Sequence, residues 1–560
     1  MSAPRSRRAG SPRIGRWAIL LAVAPYAFHG TAIGAGDGGV PAAIGAIMAR
    51  EGALVVADAP LEGPLLRPLY DTRAGEPLWV GMPGARERVA AVLDVFRRAA
   101  EHGLSPAEYH VEAIATRLGA QSTGAQAELD LLVTDAVARY AVHLHAGRLA
   151  PAMRGPEVSL AAKPVSPLDA VLGAAGAKDV QAYLEAFAPQ MPAYGRLRGA
   201  LARYRQLAAE GGWPRLPDGP KLRPGMVDPT VPALRRRLVA SGDLAGAPGR
   251  SAAYDQALVV AVRRFQARHG LAADGVIGAG TRAALETDVA RRVEQLAVNL
   301  ERLRWLPEDL GGRRVVVNVP GFSLEAWENG ARVLTAPVVV GSDEQRTPTL
   351  ASQITRVIFN PSWTVPDAIA RNELLPKAEA DPGYLARQGF RVYEGAHLRL
   401  RQAPGPLNPL GRVKFFLPNP FGVYLHDTNS RALFGRSVRT FSHGCVRVGD
   451  ALAVATWLLR DTPTWSAERQ EAALASWETR TVTLTEPVPV YLLYATAWVD
   501  DAGTTQFRED TYGRDDEVAI ALAHPSAAAD SRLRVMSLPG LPGTPTSAVL
   551  HPARPEGGGM

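Results

Sequence analysis

Residues 423–450 read VYLHDTNSRALFGRSVRTFSHGCVRVGD, and they contain Cys445, the one cysteine in a chain of 560 residues. A lone thiol is ordinarily a small buried hydrophobe. Its neighbours argue otherwise. A thiol becomes a nucleophile when it ionises, and an imidazole is the commonest base for the purpose. His443 stands two residues before Cys445, so on a strand both would face one side. His426 ends the run FGVYLHD, with 15 residues between it and Ser442. Adjacent strands lie about 4.8 Å apart, so a pairing strand could bring its ring to the sulfur. Gly444 permits backbone geometry closed to other residues, useful where N–H groups aim at a developing oxyanion. Arg447 adds a permanent cation that favours thiolate and can bind a carboxylate. Spacing alone favours His443 as the base, and His-x-Cys by itself is a weak signal.

The stretch sits in a region of period-two, β-branched texture that begins near Arg314. RVVVNVP, RVLTAPVVVG, QITRVIFNPSW, FGVYLHD, RTVTLT and VPVYLLY read as strands. One helix, DALAVATWLLRD, interrupts them with Asp450 as its N-cap. Residues 365–411 are strand-poor and too long for an idle loop, which predicts a lid or substrate-covering insert.

Upstream the texture is helical. In ARERVAAVLDVFRRAAEHGLSPAEYH, Val89, Val92, Leu93 and Phe96 share one stripe, stopped at Gly103. ELDLLVTDAVARYAVHLHAGRLAP repeats the pattern to Gly147; His143 and His145 in it are two apart, on different helix faces, and read as structural rather than metal-binding. A Pro/Gly linker, LPDGPKLRPG, leads to three short helices whose core is Leu234, Leu238, Val259, Val262, Phe265, Leu271, Ile277 and Leu285. The next helix, DVARRVEQLAVNLERLRWLP, resumes the earlier helical character, which makes the small module an insertion into one scaffold.

The chain opens with Arg5, Arg7, Arg8, Arg13 and Arg16, the apolar run WAILLAVAPYAF and small residues to Ala35, the pattern of a secretory signal peptide. The net charge of +7 is mostly these five arginines; the remaining Lys and Arg nearly balance the 55 acids, so no basic field for nucleic acid follows. A single cysteine forms no internal disulfide, and no HExxH or cysteine cluster points to a metal. The tail from about 518, rich in Ala, Pro, Ser and Gly, reads as disordered.

Two resemblances sharpen this reading. AVRRFQARHGLAADGVIGAGT looks like the peptidoglycan-binding module appended to bacterial wall enzymes. HDTNSRALFGRSVRTFSHGCVRV resembles the signature of the L,D-transpeptidases with a YkuD-type catalytic domain. FNPSWTVPDAIARNELLPKAEADPGYLA and VYLLYATAWVDDAGTTQFREDTYGRD extend the likeness to the large periplasmic subgroup, over roughly residues 64–517. The expected fold is multidomain α+β: a signal peptide (1–35), a helical scaffold (60–215), a three-helix peptidoglycan-binding module (217–287), a bridging scaffold helix (288–312), a mostly-β catalytic domain (313–517) and the tail (518–560).

The resemblance implies that Cys445 is the nucleophile and His426 the base, its ring held by the carbonyl of Asp427. His443 and Gly444 shape the oxyanion and substrate site, with His443 the alternative base. Tyr424 lines the pocket, and Ser442 fills the motif's Ser/Thr position. Some forms of the motif end in Asn where this chain has Arg447, which leaves substrate binding and a loop-holding salt bridge both open for that residue. The implied reaction is 3→3 cross-linking of stem peptides through a thioacyl-enzyme, without cofactor or metal. Its setting is the periplasm or envelope, and carbapenems are implied inhibitors. Implied partners are peptidoglycan stem peptides and glycan, and other wall-synthesis enzymes; the membrane enters only through the signal segment. L,D-carboxypeptidase action and wall-protein tethering use the same acyl-enzyme, and a non-catalytic wall-binding scaffold is the distant alternative.

Overall fold

The computed structural model describes residues 38–393 and 399–523 of the protein; the segment read as a signal peptide lies outside them, as does most of the predicted tail. No helix among the described residues is long and apolar enough to cross a membrane.

Helix α1 (Ala85–Arg97) buries Val89, Val92, Leu93 and Phe96, as their spacing requires. Helix α2 (Thr123–Ala146) begins where the Ser122 side chain accepts the Ala125 N–H and ends at Gly147. Most of α2 is buried, so its polar side chains need internal partners. Asp130 accepts the Tyr70 hydroxyl at 2.5 Å and the N–H groups of Leu78, Trp79 and Val80. His143 meets the Tyr109 hydroxyl at 3.1 Å, and His145 lies 3.8 Å from Glu308. Helix α3 (Pro192–Ala209) completes this layer with Tyr194, Leu197 and Leu201 buried.

Helices α4 (Val231–Ala240), α5 (Gln256–Arg268) and α6 (Ala279–Glu286) enclose a separate small core of Leu234, Leu238, Val262, Phe265, Ile277 and Leu285. Val259 is buried as expected, whereas Leu271 is only half-buried. Helix α7 (Val289–Arg304) then returns to the first core, where Leu296 and Leu300 are buried and α3 is its neighbour. Chain order and packing thus place the small module between two helices that pack on each other.

The C-terminal region is organised around one ten-stranded sheet, to which Val158–Ser159 of the helical region also adds a strand. Its strands are β1 (Val158–Ser159), β2 (Arg313–Asn318), β3 (Ser323–Glu328), β4 (Ala331–Gly341), β5 (Thr349–Phe359), β6 (Val413–Phe416), β7 (Leu425–His426), β8 (Thr440–Ser442), β9 (Val446–Val448) and β10 (Arg480–Leu493). The order is β6-β7-β9-β4-β3-β2-β10-β5-β1, β8 pairs with β4 off this path, and β6 also pairs with β5. The pairing of β6 with β5 closes the main run of strands on itself, so that only the short strands β1 and β8 keep an open edge. Val315, Val317, Val338, Ile354, Val357, Phe415, Val446 and Val490 fill the interior. Helix α8 (Ala451–Leu459) packs Val454, Ala455 and Leu458 against it, and Asp450 caps it by accepting the Ala453 N–H.

Four expectations change. RTVTLT and VPVYLLY are not two strands but the single strand β10, whose register shifts between Thr483 and Val488; the Glu486–Pro487 break in the pattern is absorbed by a bulge, where proline is tolerated. FGVYLHD shortens to Leu425–His426. The insert at 365–411 carries a sheet of its own: Phe390–Tyr393 and Trp363–Thr364 flank Arg399–Gln402, over a core of Val365, Leu374, Phe390 and Leu400. Finally, residues 518–523, read as the start of a disordered tail, belong to helix α9 (Arg514–Ala523). Burial of Val518 and the ion pairs Arg302–Asp515 and Arg514–Glu157 hold that helix, so composition is overruled by tertiary contacts.

Candidate active site

The site lies where β7 and β9 run side by side in parallel, with Leu425 opposite Val446 and His426 opposite Arg447. Val446 N–H donates to the Tyr424 carbonyl at 3.0 Å, which fixes the register one residue back and sets Tyr424 beside Cys445. The polar groups of Tyr424 favour the ionised form of the Cys445 thiol. The Tyr424 ring lies 5.5 Å from that of His426. Cys445 itself is partly buried against the barrel core.

His426 is buried, with 4% of its surface exposed. Its Nδ1 lies 2.5 Å from the Asp427 carbonyl oxygen. An oxygen there can only accept, so Nδ1 carries the proton and Nε2 keeps its lone pair. Asp427 is fixed in turn: its carboxylate accepts the Arg412 N–H at 2.8 Å and a guanidinium N–H of Arg431 at 2.9 Å. The Gly411 backbone passes so close that an added Cβ would lie 2.4 Å from the Asp427 carboxylate, at a φ of +61°.

Burial, reinforced by the cations of Arg447 and Lys414, pulls the His426 imidazole down to about 3. Burial pushes the Cys445 thiol above its ordinary value, against the opposing pull of Tyr424, Lys414 and Arg447. The resting pair is therefore an uncharged thiol and an uncharged imidazole rather than an ion pair.

His443 stands elsewhere. The expectation that His443 and Cys445 share a strand face fails because His443-Gly444-Cys445 form a bend between β8 and β9, with Gly444 at φ +96°. The imidazole turns outward, and its Nε2 meets the Glu373 carboxylate of the insert at 2.5 Å. Ser442 Oγ donates to the Cys445 carbonyl at 2.5 Å, across the same bend. Arg447 is close enough to Cys445 for their charges to interact, and its guanidinium reaches the Phe441 carbonyl at 3.4 Å. Among the described residues no group of three or more His, Cys, Asp or Glu could hold a metal.

Two residues that sequence reasoning missed stand here. Lys414, on β6 opposite His426, places its ammonium 3.6 Å from the Tyr424 ring centre, and its charge reaches Cys445. Thr347 donates its hydroxyl to the Gly444 carbonyl at 2.8 Å and accepts the Gly341 N–H at 2.9 Å. In a trans peptide the C=O and N–H point opposite ways. Holding the Gly444 carbonyl therefore aims the Cys445 N–H away from Thr347. Tyr512 secures the same loop by donating to the Gly341 carbonyl at 2.7 Å, and Arg514 donates to the Thr347 carbonyl at 3.1 Å. No local signal marks Thr347; it is 98 residues from Cys445 and enters only through the fold.

A prediction follows for Thr347. Thr347→Val keeps the shape but frees the Gly444 peptide, and acylation of Cys445 should slow about tenfold to a hundredfold, below the cost of deleting an oxyanion donor outright. Thr347→Ser should restore it. Loss in valine without rescue by serine, in single-turnover labelling, would contradict the positioning role.

Three parts of the chain match known protein families. Residues 312–465 match the family described as the L,D-transpeptidase catalytic domain, YkuD. Residues 227–285 match the "Putative peptidoglycan binding domain" and 64–201 the "Scaffold domain". A protein of Haemophilus influenzae named "Putative L,D-transpeptidase" is 33% identical over 246 residues, 41% of this chain and 49% of that protein. The chain thus spans about half the length of this curated relative. Crystal structures of L,D-transpeptidases from Xylanimonas cellulosilytica and Stackebrandtia nassauensis each align with 50% of this chain. They cover 99% and 96% of those chains at 20% and 15% identity, with TM-scores of 0.18 and 0.20. Residues 312–465 are thus similar to the YkuD-type L,D-transpeptidase catalytic domain, and the same chain carries stretches similar to a scaffold domain and to a peptidoglycan-binding domain.

Proposed function

We propose that the protein is a peptidoglycan transpeptidase of the cell envelope that forms 3→3 cross-links through a thioacyl-enzyme on Cys445. The observation that carries this reading is the Tyr424–His426 strand held beside Cys445, inside a YkuD-type domain. The domain division read from the sequence, with scaffold 60–215, module 217–287, bridging helix 288–312 and catalytic region 313–517, is part of the same proposal.

His426 Nε2 takes the thiol proton as sulfur attacks the carbonyl at the L-centre of the donor tetrapeptide's diamino acid. The C–N bond to the terminal D-alanine breaks, and the imidazolium returns its proton to the departing amine. The side-chain amine of a second stem then attacks the thioester, His426 accepts its proton, and the thiol is regenerated. The N–H groups of the Gly444–Cys445 bend stabilise each tetrahedral oxyanion. Because thiol and imidazole are both uncharged at rest, proton transfer is coupled to attack rather than completed beforehand. Arg447 and Lys414 favour the anionic sulfur as it is regenerated, and Tyr424, Ser442 and Asp427 hold the strand and bend in register.

Water that reaches the thioester would release tripeptide instead. The insert is positioned to limit this through its Glu373–His443 contact. Glu373→Ala should raise the ratio of free tripeptide to cross-linked dimer several-fold while leaving acylation within about twofold, read by chromatography of the products. An unchanged ratio would remove the insert from control of hydrolysis. The reading as a whole is tested by incubating the protein with disaccharide-tetrapeptide and identifying the products; tripeptide alone would make it an L,D-carboxypeptidase.

A further inference from the structure

Lys414, His426 and Arg447 stand in register across three neighbouring strands, β6, β7 and β9. On the same strands Phe415, Leu425 and Val446 fill the barrel core. Alternation turns Lys414, His426 and Arg447 to the other face, with a cation on each side of the imidazole. Adjacent strands lie about 4.8 Å apart, so both cations stand close to the reacting groups. The Lys414 ammonium lies over the Tyr424 ring, 3.6 Å from its centre, and its charge reaches Cys445. Arg356, opposite Phe416 on β5, lies 4.0 Å from that ring's centre and brings a third cation that acts on Lys414.

No carboxylate balances the three. Glu373 is engaged by His443, and Asp427 by the Arg412 N–H and Arg431. Among the described residues, the charges that act on Lys414 are those of Cys445 and Arg356. Arg447 feels that of Cys445, and its guanidinium is partly engaged by the Phe441 carbonyl at 3.4 Å. Lys414 differs from it: none of its three N–H donors has an acceptor among the described residues. Burial pulls the Lys414 amine below its ordinary value; the thiolate form of Cys445 opposes this and Arg356 adds to it. A carboxylate arriving there would restore the ammonium and meet no repulsion. Lys414 and Arg447 are both half-exposed, so a ligand reaches them.

The proposed reaction brings one carboxylate to this position. The departing D-alanine carries its free α-carboxylate three covalent bonds beyond the carbonyl carbon that sulfur attacks, within about 4 Å by standard bond lengths. We propose that Lys414 holds that carboxylate and thereby selects donors that end one residue beyond the scissile bond. Arg447 and Arg356 keep the surrounding field positive. A donor with a further residue would present a neutral peptide group here and lose the charge-assisted contact. The assignment to D-alanine rests on the transpeptidase reading, whereas the preference for an anion beside Cys445 rests on the three cations alone.

The test gives the full chain two donors, disaccharide-tetrapeptide with a free terminal carboxylate and its terminal carboxamide, and follows acylation of Cys445 by intact mass. The parent should acylate from the acid at least about tenfold faster, the worth of a hydrogen bond to a charged group. Lys414→Gln should bring the two rates within about twofold of each other, and Lys414→Arg should keep the preference. A lysine that acted on the sulfur alone would, when replaced, slow both donors equally. Lys414→Met, which keeps a long stem over the Tyr424 ring, takes the place of Lys414→Gln if that variant fails to fold. Iodoacetyl-D-alanine and its carboxamide alkylate the thiol directly and give the same comparison without a transpeptidase step. If neither donor acylates the parent, the transpeptidase reading fails, and the alkylating pair decides the inference by the same ratios. Equal rates for acid and amide in the parent, or an undiminished preference once Lys414 is replaced by glutamine or methionine, would overturn it.

Discussion

His426→Ala should slow acylation of Cys445 by about 10²- to 10⁴-fold, the range that a positioned general base supplies. His443→Ala should cost far less, because that ring faces the insert rather than the sulfur. The contrast follows the environment of the two histidines rather than their distance from Cys445 along the chain. His426 is buried with its Nδ1 proton committed to Asp427, whereas His443 is half-exposed.

The pH dependence has a definite sign. An imidazole near 6.5 would lose its base form across pH 7 to 5. His426, pulled down to about 3 by burial and the neighbouring cations, stays unprotonated over that span. The acylation rate should therefore show no acid limb between pH 7 and 5. Direct alkylation of Cys445 should rise only above the ordinary thiol range, since burial raises that group. A plateau of alkylation near pH 6 would instead reveal a preformed thiolate–imidazolium pair. The same shift bears on stability. Between about 6.5 and about 3 the unfolded chain binds a proton at this position that the folded chain does not. Each unit of acidification there costs up to about 1.4 kcal/mol.

The second large effect lies far from the sulfur. Asp130→Ala should destabilise the helical scaffold by about 3–5 kcal/mol, the cost of stripping one partner from a buried charged network. Asp130 is fully buried and receives the Tyr70 hydroxyl and three consecutive N–H groups, from Leu78 to Val80. Alanine strips the acceptor from the three N–H groups in a buried site and leaves the Tyr70 hydroxyl only Thr134. Burial alone raises the Asp130 carboxyl, and those same donors oppose it. The check is a denaturant or thermal scan that follows Trp79, which is buried in this cluster, alongside alkylation of Cys445 as a probe of the barrel. A transition at the parent's position would show that the network contributes nothing.

How much of this was legible in the chain depends on how local each feature is. Cys445, Gly444 and Ser442 are adjacent, and His426 sits on the strand that pairs beside them, so one stretch of 28 residues carried most of the site. The choice between two histidines was not local: period-two reasoning assumed a strand where the glycine makes a bend. Thr347 and Lys414 belong to other strands and loops, and no spacing rule connects them to the sulfur.

The elements that escaped were those whose pattern is masked. Ser323–Glu328 alternates correctly, with Leu324 and Ala326 inward, but its outward glutamates conceal the strand. Val413–Phe416 is four residues long. The insert hid its sheet because helices separate Trp363–Thr364 from the two strands it joins by tertiary pairing. Residues 518–523 of helix α9 looked disordered by composition, yet Arg514 and Asp515 anchor the helix through partners more than 200 residues away.

The central claim is that Cys445 forms a thioacyl intermediate with His426 as its base. Intact-mass spectrometry of the protein quenched during turnover of disaccharide-tetrapeptide tests it most directly. A tripeptide adduct is expected on Cys445 that is absent in Cys445→Ala, is nearly absent in His426→Ala and persists in His443→Ala. An adduct that persists in His426→Ala and vanishes in His443→Ala, or no adduct in any form, would contradict it.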